Sequence, residues 1–142
     1  IPVAIGIATI GIIHTLAGSL HFNSIRLYDW WIIDHILKFD NLTHIAGSSV
    51  ATFFVYNLIK PSIKKKILKD KLLFSFIIIF LAFGIMALNE VQELGSVIFL
   101  DGVTGVGDYI NNALDLFFNL VGISLTMTLI LIRDKSNTKS SK

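Results

Sequence analysis

The chain has 142 residues, 54% of them hydrophobic and 15% charged, with 11 Phe and no Cys; its mean hydropathy is +0.73. That balance excludes an ordinary soluble domain, and the missing cysteines exclude disulfide scaffolds, thiolate metal sites and cysteine nucleophiles. The formal net charge of +2 is small and its cations sit beside apolar runs, which argues against a nucleic-acid partner and for the lipid bilayer.

The apolar runs predict an all-α membrane protein: one domain over residues 1–132 with four transmembrane helices, and a short interfacial helix between the first two. A disordered basic tail is expected over 133–142. The chain opens on Ile1-Pro2, and residues 2–22 contain no Asp, Glu, Lys or Arg. Without the basic start and short apolar core of a signal peptide, this stretch reads as a retained span of roughly 30 Å. His14, Gly18 and His21 fall on one face of it. Residues 23–39 mix Tyr28, Trp30 and Trp31 with Arg26, Asp29, Asp34 and Lys38, too charged to cross and too aromatic for a free loop. A helix lying at headgroup level is the expectation.

The second span is predicted over 41–59, with Asp40 as its N-cap, His44 one turn inside, and a small-residue contact face at Ala46, Gly47, Ser48, Ser49 and Ala51. The Asn41-Leu42-Thr43 sequon lies at the membrane edge, where glycosylation is not expected. Six lysines follow between Lys60 and Lys71, and Pro61 ends the helix. The third span, 72–92, closes on Asn89 and Glu90, with Glu93 just beyond. A connector with Gly95, Gly102, Gly105 and Gly107 has no Lys-Ser/Thr pair and is not a phosphate loop. In the fourth span, 109–132, the stretch GDYINNALDLFFNLVG places Asp108, Asn112, Asp115, Asn119 and Gly122 on a single helical stripe.

Short lysine-rich loops stay in the cytoplasm, so four spans put both termini there, in a multi-pass protein of the cell membrane. The remaining helix ends then face outward together, and they carry the polar residues. His14, His44, Glu90, Glu93 and Asp115 are the candidate metal ligands, with His21, Asp40, Asn41, Asn89, Asn111, Asn112 and Asn119 in support. Imidazole and carboxylate are what a divalent transition metal takes in a chain without thiolates. No local ligand motif such as HExxH is present. Asn41, Asn111, Asn112 and Asn119 read first as interhelical hydrogen-bonding groups, whereas Glu90 and Asp115 are costly enough inside a membrane to suggest function. His21 and Asp108 read equally well as solvated interface groups. Phe53, Phe54, Phe117 and Phe118 read as lipid-facing or core.

The HxxxG of His14 and Gly18, LYD of Leu27 to Asp29, FDNLTH of Phe39 to His44, NEVQE of Asn89 to Glu93 and the GDYINNALDLFFNLVG stretch resemble the YjdF-like family of prokaryotic membrane proteins. DNLTH with DLFFNLVG is similar, more distantly, to VanZ-like proteins. The resemblance implies Asp40, His44, Glu90, Glu93, Asp115 and Asn119 as motif positions but brings no reaction. Three functions stand side by side: an outward-facing intramembrane site for a metal and a small or lipid-linked substrate, a non-enzymatic subunit of a larger membrane complex, and a proton relay or transporter through Glu90 and Asp115. The lack of repeats weighs against the last.

Overall fold

The computed structural model describes residues 2–99 and 109–140; Gly102, Gly105, Gly107 and Asp108 lie outside them. The first helix, α1, is Pro2–Ser19. It stops short of the expected end at 22 because the chain turns into strand β1, His21–Phe22, which pairs with β2, Ile25–Arg26. The two residues between them, Asn23 and Ser24, have φ of 50° and 66°, the left-handed pair that a two-residue hairpin of this twist requires.

A single 3-10 turn over Leu27–Asp29 leads to a second hairpin, β3 Trp31–Ile33 with β4 Leu37–Lys38, turned at His35 with φ 55°. The expected interfacial helix over 23–39 is therefore two short antiparallel hairpins. Left-handed backbone at Asn23, Ser24 and His35 interrupts any helix, and the β-branched Ile32 and Ile33 suit β3 and the turn beside it. Arg26 and Asp29, among the charges that made this stretch too polar to cross, pair at 2.8 Å across the 3-10 turn.

Helix α2 is Phe39–Ile59, α3 is Lys65–Lys69, α4 is Lys71–Phe99 and α5 is Tyr109–Ser140. Asp40 is not the N-cap of α2 but lies in its first turn; Lys38 precedes the helix, and its N–H donates to Asn41 Oδ1 at 2.9 Å. Gly95 is helical within α4, and α5 runs through Ser140, so the tail expected to be disordered from 133 continues the helix. Three helices are long and apolar enough to cross a membrane, over Phe39–Ile59, Lys71–Ser96 and Tyr109–Lys135, and the apolar part of α1, Val3–Ser19, is shorter.

The contacts fix directions. Asn41 meets Asp115 near the start of α2 and α5, and Lys60 meets Asp134 near the end of both, so these helices run parallel. Helix α4 is antiparallel to them, with Glu90 beside His44 and Phe74 edge-on to Tyr56 at 6.1 Å. In lipid, burial of apolar surface gives little drive for helices to associate, so close packing and hydrogen bonds must hold them. Gly122 supplies the closest approach: a Cβ there would lie 2.5 Å from the Ile45 carbonyl oxygen and would strike Ser48 Oγ. The apolar core of Val55, Phe74, Ile78, Ala82, Ile123, Met127 and Ile130 occupies the half of the three-helix interface nearer the lysines. Asn41, His44, Glu90, Asp115 and Asn119 fill the other half.

Candidate functional site

Spacing along each helix selects the residues of the polar half. On α2 the positions 41, 44, 48 and 52 are buried on one face, and on α5 position 115 meets Asn41 and His44, with position 119 buried one turn further along. Gly122, a further turn along, lets the two stripes close on each other.

His44 is the centre. Its Nε2 lies 3.5 Å from Asp40 Oδ1 and 3.5 Å from Asp115 Oδ1, and its Nδ1 lies 3.6 Å from Glu90 Oε1. One imidazole is thus flanked by three carboxylates from three helices, at distances longer than good hydrogen bonds. One ligand atom each from Asp40, His44 and Asp115 fall within 4.8 Å of one another. Three carboxylates gathered around one imidazole in a place of low dielectric call for balancing positive charge, which a cation would supply.

A shell of amides orients the acids. Asp115 Oδ1 accepts from Asn41 Nδ2 at 3.2 Å, and its Oδ2 accepts from Asn111 Nδ2 at 2.7 Å. Lys38 Nζ donates to Asn111 Oδ1 at 3.1 Å and stands 5.1 Å from the Trp31 ring centre. The second hairpin is thereby tied to the site. By contrast, among the described residues neither carboxylate oxygen of Glu90 nor either polar atom of the Asn119 side chain has a hydrogen-bond partner, although all are buried.

The other candidates fall around this centre. Glu93 is half-buried and accepts from Asn89 Nδ2 at 2.9 Å. Asn112 is half-buried on α5. His21 is exposed in β1, its Nδ1 3.1 Å from the Ser19 carbonyl oxygen, and stays out of the cluster. His14 is also outside: it is exposed on α1 and pairs with the Tyr28 hydroxyl.

Tyr28 is the residue that spacing alone did not single out. Its ring passes over Gly18, where a Cβ would lie 3.4 Å from it, and burial, followed by the negative charge of Asp40, pushes its phenol well above the usual range. It therefore keeps its proton beside the acids and joins His14 to their rim. The signal was present in the pairing of HxxxG with LYD. Lys38 was likewise read only as an interface charge.

No curated protein and no solved structure matches the chain. A family model does, described as a predicted membrane protein, DUF2238, over residues 2–136. That span takes in α1, both hairpins, the buried His/Asp cluster and all three long apolar helices, and contact with the lipid bilayer follows from them. The chain belongs to the DUF2238 family of predicted membrane proteins, in keeping with the YjdF-like resemblance of its motifs.

Proposed function

We propose that this protein binds a divalent transition-metal ion through Asp40, His44 and Asp115, inside the membrane near its outer face, with Glu90 poised to accept from the other ring nitrogen of His44. The observation that carries this reading is the convergence of one ligand atom from each of Asp40, His44 and Asp115 within 4.8 Å. Buried Glu90, whose oxygens make no hydrogen bond among the described residues and lie beside His44 Nδ1, supports it. Nitrogen and oxygen donors without sulfur suit zinc or manganese, and an ion there would balance the carboxylates and polarise an oxygen of a small or lipid-linked substrate. Asn41 and Asn111 would hold Asp115 in its ligating pose, as outer-shell groups do.

The outward placement rests on four spanning helices, with α1 as the first, and on the lysines of residues 60–71 marking the cytoplasmic side of the cell membrane, where both termini would also lie. The parallel run of α2 and α5, antiparallel to α4, is in keeping with alternate crossings of those three helices.

Elemental analysis of the protein, purified in detergent after growth or reconstitution with zinc, manganese and iron, tests the proposal. Close to one ion per chain is expected, and His44→Ala should lose at least the roughly 10- to 100-fold in affinity that even outer-shell changes cost. Folded wild-type protein that takes up none of the three metals would overturn it. So would His44→Ala protein that retains metal as the wild type does.

A further inference from the structure

At the end of the bundle opposite the acids, α2 and α5 part to leave a cleft of about 220 Å³. Its lining is sorted along the helix axes. Phe53 and Ile130 form the wall toward the membrane interior; Tyr56 and Asn57 follow, and Lys60, Arg133 and Asp134 lie at the mouth. From Phe53 to Lys60 is seven residues on one helix, about 10 Å of rise. Apolar within and cationic at the rim is the polarity of a phospholipid turned outside in.

The mouth is a built structure. Tyr56 donates to both carboxylate oxygens of Asp134 at 3.1 Å, and Lys60 Nζ donates to the same two oxygens at 3.2 Å. The Lys60 ammonium also contacts the Tyr56 hydroxyl and lies 4.7 Å from its ring centre. Burial works against the Lys60 charge, but the Tyr56 and Asp134 contacts outweigh it and raise the ammonium's pKa. Asp134 thus fixes Lys60 in place while Arg133, one residue away, is exposed. Among the described residues that line the mouth there are two cations and one acid, and five further lysines with a single Asp follow between residues 61 and 71.

We infer that this cleft binds the phosphate group of an anionic phospholipid, with Lys60 and Arg133 at the headgroup and the first carbons of an acyl chain against Phe53 and Ile130. Basic pockets between membrane helices take such headgroups, and the apolar wall distinguishes a lipid from a free phosphate ion. The site is separate from the acid cluster and does not depend on a metal.

The test is the thermal unfolding midpoint of delipidated protein in mild detergent, measured with phosphatidylglycerol, phosphatidylcholine or inorganic phosphate added. Phosphatidylglycerol should raise the midpoint by roughly twice the phosphatidylcholine shift or more, and phosphate alone should leave it unchanged. Arg133→Gln, and independently Asn57→Trp, which fills the cleft, should each remove at least roughly half of that excess, while Lys65→Gln keeps it. Equal shifts with the two lipids, an equal shift with phosphate alone, or an excess that survives both cleft variants would each overturn the inference. Loss of the excess in Lys65→Gln to the same degree would do so too, by assigning it to diffuse loop charge.

Discussion

Asp115 and Asn119 lie one turn apart on α5, both buried, and their surroundings treat them oppositely. Each oxygen of Asp115 has an amide donor, whereas both polar atoms of Asn119 lack a partner among the described residues. A buried polar group left unmade costs about 1–3 kcal/mol, so an amide that serves only the fold would be a poor choice here. Leucine branches at the same carbon and carries no such cost. Asn119→Leu should therefore hold the unfolding free energy or raise it, by up to about 1–3 kcal/mol, while weakening metal retention. A fall of more than about 1 kcal/mol, with metal retention unchanged, would return Asn119 to the interhelical hydrogen-bonding role that its sequence context first suggested.

At the scale of elements, the contact that places the site is between α2 and α5, and it turns on one missing side chain. A Cβ on residue 122 would sit 2.5 Å from Ile45 O and 3.0 Å from Ile45 Cα, against backbone that cannot rotate away. Gly122→Ala must push the helices apart and should cost about 1–3 kcal/mol, as overpacking of a tight contact does. Gly84→Ala is the control, because nothing lies within 4 Å of its added Cβ. A Gly122→Ala protein that unfolds with the wild type would mean that the two helices are not held this close. The small-residue face on α2 and the regular stripe ending at Gly122 were legible in advance as two contact faces, since helical period and residue size are both local properties, but not that they meet each other. The hairpins were less legible. Trp30, Trp31 and the scattered charges suggested an interfacial helix, and the contrary signal was the left-handed tendency of Asn23, beside a serine that carries less of it. His14 shows a different limit: period places it on a face of α1 but does not say which neighbour that face meets. The neighbour is Tyr28, brought in by the 3-10 turn.

At the scale of the whole molecule, polar and apolar burial separate along the helix axes among the described residues. The acids, amides and His44 gather at the end that carries the hairpins; the Val55, Phe74 and Met127 core and the lysine loop lie toward the other. Such asymmetry gives a protein of this size two chemically different faces, and which face is outward decides what can reach the site. Lysine placement argues that the hairpin face is outside. The chain has no cysteine, so one introduced thiol reports one position. Ser24→Cys lies in the first hairpin turn and Lys65→Cys at the start of α3, on opposite faces. A membrane-impermeant maleimide added to intact cells should label Ser24→Cys, and should reach Lys65→Cys only after the membrane is opened. The reverse pattern would turn the site toward the cytoplasm, and labelling of both in intact cells would break the four-span topology itself, because α2 could not then cross the membrane between the first hairpin and α3.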